Sequence, residues 1–155
     1  QLVMEVETLR DVIRWTRGVH SELSECLSMC QKDNEDERAK LVLSYLSHHE
    51  NEIAKVVEVF EKKGSEHALN TWCIEYVNKF KLNNGELCDR PFSDLNAQKI
   101  VTIVVEKHQY LLSLFRFLAM QAAIPSTKEL LDALSFFEEH ETMKMVQATN
   151  RFDDM

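Results

Sequence analysis

The chain of 155 residues contains little glycine and little proline, with 3 Gly and 2 Pro. Because these residues mark most turns, their scarcity argues against folds built from many short strands and favours long helices. No apolar run reaches the roughly 18 residues that cross a bilayer, and no basic segment leads into an apolar leader core. We therefore expect a single all-α domain over residues 1–155, without a membrane partner.

Several common functional signatures are also missing. The sequence has no glycine-rich phosphate loop, no G-x-S-x-G elbow and no H-E-x-x-H motif, so whether the protein is an enzyme stays open. The net charge of −8 removes the attraction to nucleic-acid phosphates, so we predict no nucleic-acid partner. The 4 Cys include no C-x-x-C pair, which favours reduced thiols and a cytoplasmic protein.

Four long segments repeat apolar residues every three or four positions, as amphipathic helices do. They cover about 4–31, 34–63, 93–123 and 126–150. Short polar connections join the first to the second and the third to the fourth, whereas residues 64–92 are long enough to cross a bundle and to carry a short helix. The pattern predicts a four-helix bundle of two antiparallel hairpins joined by this crossover.

Two of the predicted helices begin with the spacing of a capping box. Asn34 is followed three residues later by Glu37, and Ser126 is followed by Glu129. In such a box, the side chain of the first residue accepts a hydrogen bond from the backbone N–H of the second. The side chain of the second residue accepts one from the backbone N–H of the first. We therefore predict that Asn34 and Ser126 open the second and fourth long helices.

Polar side chains interrupt the apolar stripes near the midpoints of the long helices. His20, His49 and His108 lie on the first, second and third stripes, and Glu138 and Glu141 lie on the fourth. A polar band at this height destabilises a bundle unless its groups satisfy one another or bind a metal. The band is therefore the strongest functional signal in the sequence.

The spacing within the band suits metal coordination, since side chains at i and i+3 point the same way on a helix. Imidazole and carboxylate donors suit Fe, Mn or Zn, and three of each nearly balance two divalent ions. We predict one or two ions, in a site with a redox or oxygen-related role whose redox partner the sequence does not identify. The predicted ligands are His20, His49, Glu52, His108, Glu138 and Glu141, with Glu50 as an alternative to Glu52. Glu106 and His140 flank them.

With these residues and this connectivity, the chain resembles the ferritin-like superfamily, in its small rubrerythrin-like bacterial branch. In that family, helices one and three each give a Glu, and helices two and four each give Glu-x-x-His. Here His20 and His108 occupy the positions on helices one and three that each give one ligand in the family. The paired positions carry His49-Glu50-Asn51-Glu52 and Glu138-Glu139-His140-Glu141. The resemblance implies a metal site at mid-bundle, with the residue types exchanged between positions.

A second interpretation needs no metal. The histidines and glutamates of the band would then form a closed hydrogen-bonded network within the bundle. The protein would serve as a dimerisation or protein-interaction module.

We also predict a homodimer. The third long helix carries apolar residues on two faces, and Trp72, Tyr76 and Phe80 add aromatic surface in the crossover. Because exposed apolar patches usually mark partner surfaces, a second copy is expected to cover them. Light scattering should give twice the chain mass, and a monomer mass at all protein concentrations would contradict the prediction.

Overall fold

The computed structural model describes residues 6–80 and 92–154, and these residues are helical, as predicted. The helices are α1 (Leu9–Gln31), α2 (Glu37–Lys63), α3 (Glu66–Leu69), α4 (Ile74–Phe80), α5 (Ala97–Gln121) and α6 (Pro125–Asn150). Short 3-10 turns at Phe92–Asp94 and Arg151–Asp154 precede α5 and follow α6. Within the described ranges, no helix is both long and apolar enough to cross a membrane.

Helices α1 and α2 form an antiparallel hairpin. Near the end of α1, Ser24 donates a hydrogen bond to the Ser47 carbonyl oxygen at 2.7 Å. One and a half turns beyond the start of α1, Arg14 donates to Glu61 at 2.8 Å, near the end of α2. Since residue numbers rise along α1 while they fall along α2, the two helices run in opposite directions.

Helices α5 and α6 form the second hairpin. His108 contacts Thr142 at 2.9 Å, and Arg116, further along α5, contacts Glu139, which is nearer the start of α6. The numbers again run in opposite directions, so this pair is antiparallel. The helices within each of the two pairs are therefore antiparallel.

The two hairpins pack against each other through aromatic side chains. The Tyr45 ring of α2 lies 6.1 Å from the Phe152 ring, and Phe60 lies 5.7 Å from Phe137 of α6. Helix α2 is therefore antiparallel to α6 and runs in the same direction as α5. A chain that leaves α2 must return along the helices before α5 begins, which explains the long connection.

The described part of the crossover is tied to the start of α1. The Leu9 N–H donates to the Thr71 carbonyl at 2.9 Å, and the Cys73 N–H donates to the Glu7 carbonyl at 2.7 Å. Further on, the Tyr76 ring of α4 meets the edge of Phe117 of α5 at 6.3 Å. Helix α4 thus covers part of the second apolar face of α5.

This coverage weakens one reason for expecting a dimer, and assembly stays a prediction. Trp72 is 56% exposed, so part of the aromatic surface remains uncovered in one chain. The Phe80 side chain lies outside the described residues, as do residues 1–5 at the predicted start of the first helix.

The predicted opening of α2 was wrong by two residues. Asp36 caps the helix, and its carboxylate accepts from the backbone N–H groups of Arg38 and Ala39. Asn34 is buried instead, and its side-chain amide donates to the Phe92 and Leu95 carbonyls, each at 2.9 Å. Asn34 therefore joins the first connection to the turn before α5.

The predicted opening of α6 was also wrong. The helix begins at Pro125, and no side chain bonds its first turn from the preceding Ile124. Proline suits the first turn because its missing N–H would have no partner there. A capping box does form at α1, where Thr8 and Asp11 bond each other's backbone N–H groups.

The cysteines differ from the expected set of reduced thiols. Cys26 is buried and disulfide-bonded, whereas Cys30 and Cys73 are free. Cys88 lies outside the described residues. Because disulfides are rare in reducing compartments, the thiols no longer support the cytoplasmic expectation. The sequence could not reveal that Cys26 is disulfide-bonded, because the chain has no C-x-x-C motif or other short cysteine spacing typical of a disulfide.

The capping difference between α1 and α6 can be tested by mutation. Thr8→Ala removes the box at α1 and should lower the free energy of unfolding by about 1 kcal/mol. Ser126→Ala should leave it unchanged, because Ser126 caps nothing. Urea denaturation of the two variants checks this, and a larger loss for Ser126→Ala would contradict the observed helix start.

Candidate metal centre

Four ionisable side chains meet in the interior, one from each long helix. They are His20 of α1, Glu50 of α2, His108 of α5 and Glu138 of α6, and none is more than 1% exposed. Each lies on the buried stripe of its helix, with at least one buried apolar residue one turn away: Leu23, Leu46, Val104 and Leu134. Such groups are rarely buried without partners, because leaving water destabilises their charged forms.

Glu50 lies between the two imidazoles. Its Oε1 is 2.6 Å from His20 Nδ1, and its Oε2 is 2.6 Å from His108 Nε2. The rings meet edge to face, with centroids 5.1 Å apart. One carboxylate thus connects α1, α2 and α5 through both of its oxygens.

The outer nitrogen of each imidazole also has a partner, in both cases on α6. His20 Nε2 lies 2.5 Å from Glu138 Oε1, and His108 Nδ1 lies 2.9 Å from Thr142 Oγ1. The Thr142 hydroxyl donates a hydrogen bond to the backbone carbonyl oxygen of Glu138 at 2.7 Å. Its oxygen can therefore only accept, which makes His108 Nδ1 a donor.

These hydrogen bonds fix the protons. An ionised carboxylate only accepts, so both nitrogens of His20 and both nitrogens of His108 carry hydrogen when Glu50 and Glu138 are ionised. The two imidazolium charges then balance the two carboxylate charges. In that state the four groups together carry no net charge.

The pKa shifts agree with this assignment. Burial acts to lower the pKa of His20, but the negative charges of Glu138 and Glu50 outweigh it and raise the pKa to about 10. Burial also acts to lower the pKa of His108, but the charge and the hydrogen bond of Glu50 outweigh it, so the pKa is raised. Burial would raise the pKa of Glu50, but His108 and His20 hold it well below its usual range. The protonated imidazoles and ionised Glu50 therefore stabilise one another.

One atom of the network is left over. Among the described residues, Glu138 Oε2 is the buried side-chain oxygen without a hydrogen-bond partner. His108 Nδ1 lies 3.8 Å from it, beyond hydrogen-bond distance. Because a buried unpaired carboxylate oxygen is costly, this atom marks where the network could accept another positive group.

The other predicted ligands lie outside this network. Glu52 is exposed and contacts Lys55 at 3.4 Å. His49 and Glu141 pair with each other at the seam between α2 and α6, where His49 Nε2 donates to the Glu141 carbonyl at 3.3 Å. Burial lowers the pKa of His49 and outweighs the nearby carboxylates. The structure thus brings together four groups, with Glu50 in place of Glu52.

The flanking candidates Glu106 and His140 are both exposed, and His140 stacks on Phe136. The sequence interpretation missed Thr142, although a signal was present. Thr142 follows Glu138 by four residues, so the two share one face of α6. A hydroxyl on the same stripe as a carboxylate indicates a partner for a buried polar group.

Comparison with known proteins adds no relative. No protein family, no curated protein and no solved structure matches this chain. The functional argument therefore depends on the geometry of the network.

The raised pKa of His20 predicts how stability depends on pH in the presence of a chelator. Protonated His20 stabilises the fold fully below its unfolded value of 6.5, and the contribution is lost as pH rises through about 10. Thermal or urea unfolding should therefore show stability falling over this range. His20→Gln should fall less steeply, and an identical slope in both proteins would contradict the assigned protons.

Proposed function

We propose that this protein binds one divalent transition metal ion in a ferritin-like four-helix bundle. The ligands are His20 Nδ1, the Glu50 carboxylate and His108 Nε2. Glu138 and Thr142 accept the outer N–H groups of the two imidazoles. The resemblance that the sequence suggested supports the bundle, and the interior network supports the site.

The observation that carries the proposal is the arrangement of the two imidazoles. Each turns one nitrogen toward Glu50 and the other toward an acceptor on α6, Glu138 or Thr142. Histidines that bind metals nearly always donate their second N–H in this way, because the bond fixes ring orientation and tautomer. The residues therefore resemble a ligand set together with the partners that orient it.

The distances fit one ion after small side-chain movements. His20, Glu50 and His108 each offer a ligand atom, and these atoms lie within 4.8 Å of one another. An ion with bonds of about 2.0–2.2 Å holds its ligands up to roughly 4.4 Å apart. Two nitrogens and an oxygen are donors that Fe, Mn and Zn accept.

Charge favours one ion over the predicted pair. A divalent ion would take the place of the protons on His20 Nδ1 and His108 Nε2, and the outer N–H groups would remain. Two positive charges thus replace two, and the carboxylates of Glu50 and Glu138 stay balanced. A second ion would leave two uncompensated charges in a dry interior, which is strongly unfavourable.

The ligand set also bears on the chemistry. Two histidines and one carboxylate leave coordination positions open, as in non-haem iron sites that react with oxygen. Fe or Mn would support the redox or oxygen-related role, and Zn would exclude it because Zn²⁺ has no redox chemistry. The identity of the ion therefore decides between these roles.

A second candidate function is favoured by the contacts of Glu50. Its two separations of 2.6 Å are hydrogen-bond lengths, shorter than the roughly 3 Å or more between two ligands of one ion. Both oxygens of Glu50 are therefore satisfied by protons alone. In this alternative, the metal-free protein is an interaction module, and the network fixes how its helices pack.

Elemental analysis of protein purified without chelator tests the proposal. We expect about one Fe, Mn or Zn per chain, lost in Glu50→Gln because the variant removes the charge that holds the ion. Glu52→Gln is the matched control, since Glu52 is exposed on the same helix, and it should retain the ion.

Either of two results would overturn the metal proposal. One is a wild-type protein that takes up no Fe, Mn or Zn from solution at neutral or alkaline pH. The other is full metal content in a folded Glu50→Gln protein. Circular dichroism establishes that the variant is folded.

A further inference from the structure

We propose that His49 and Glu141 form an outer cation site at the seam between α2 and α6, through which the ion reaches the interior. This inference rests on the proposed metal centre. It assigns a role to two ligand-type side chains that the inner network does not use.

The pair stands between solvent and the network. The side chains of His49 and Glu141 are 10% and 13% exposed, whereas those of Glu50 and His108 are fully buried. The Tyr45 ring stacks on His49 at 5.6 Å and is itself half-buried. An ion approaching along this seam would therefore meet His49 and Glu141 before any inner ligand.

The geometry of the pair differs from that of the inner contacts. His49 Nε2 lies 3.8 Å from Glu141 Oε1, beyond hydrogen-bond distance, and its hydrogen bond goes instead to the Glu141 carbonyl. An ion with bonds of about 2.0–2.2 Å can bridge two atoms separated by this distance. The separation within the outer pair is thus long enough for a cation to lie between the two atoms. The separations between Glu50 and its two imidazoles are hydrogen-bond lengths instead.

Glu138 supplies the next contact inward. Glu141 and Glu138 are three residues apart on α6 and therefore share a helix face. Glu138 Oε2, buried and without a hydrogen-bond partner, is a free carboxylate oxygen beyond Glu141. Its other oxygen already contacts His20 at 2.5 Å. Helix α6 thus carries one carboxylate near the surface and a second in contact with the buried network, on the same helix face.

About one turn along α1 from His20, the α1–α2 seam carries two hydroxyl side chains instead. Between α1 and α2, Ser24 and Ser47 bond each other's carbonyl oxygens at 2.7 and 2.8 Å. These neutral hydroxyls are occupied and bind transition metals weakly. At the α2–α6 seam, by contrast, Lys144 contacts Glu141 at 3.2 Å and is 54% exposed. An incoming cation would displace this exposed ammonium group.

The test is the rate of Co²⁺ uptake by chelator-treated full-length protein at pH 8, followed by visible absorbance in a stopped-flow instrument. Glu141→Gln and His49→Ala should each slow uptake by about tenfold, because they remove charge or a donor at the entrance. Both should reach the final cobalt spectrum of the wild-type protein. Glu139→Gln and His140→Ala, on the exposed face of α6, are matched controls and should keep the wild-type rate.

Lys144→Gln provides a test that leaves the buried residues intact, and it should speed uptake because it frees Glu141. Wild-type rates in the Glu141, His49 and Lys144 variants would overturn the entry route and leave the metal centre standing. If Glu141→Gln or His49→Ala does not fold, the Lys144→Gln rate decides. Failure of the wild-type protein to bind Co²⁺ at all would instead overturn the metal centre itself.

Discussion

The contact of Glu50 with two imidazoles is the constraint on which the rest of the interior depends. Through its two oxygens it holds His20 of α1 and His108 of α5 at 2.6 Å each. The same imidazoles reach α6 through Glu138 and Thr142. Loss of one member would leave the others as unpaired buried charges, which typically destabilises a protein by about 3–5 kcal/mol. The network therefore connects all four long helices.

Charge balance connects this structural role to the proposed function. The network is neutral with protons on both imidazoles, and it stays neutral if one divalent ion replaces two of those protons. Structure and metal binding thus place the same demand on His20, Glu50 and His108. The raised pKa of His20 also means that protons compete with the ion up to about pH 10, well above the range of an unperturbed imidazole.

The sequence predicted much of the fold because helical periodicity and turn residues are local signals. The four long helices and the inward positions of His20, His108 and Glu138 followed from three-and-four spacing. The i, i+3 spacing from His49 favours Glu52 as a ligand, but Glu50 lies on the apolar stripe and is the carboxylate that the fold buries. The Asn34 side chain bonds the carbonyls of Phe92 and Leu95, which are distant in sequence, so no local pattern could reveal these contacts.

Proton release on metal binding tests the central claim most directly. Calorimetric titration of chelator-treated protein with Zn²⁺ at pH 6.5, in buffers of different ionisation enthalpy, counts the protons displaced by each ion. The account predicts about two protons per ion, one from His20 and one from His108, because both pKa values are raised. Binding without proton release would show that the ion lies elsewhere, and would contradict the exchange at Glu50.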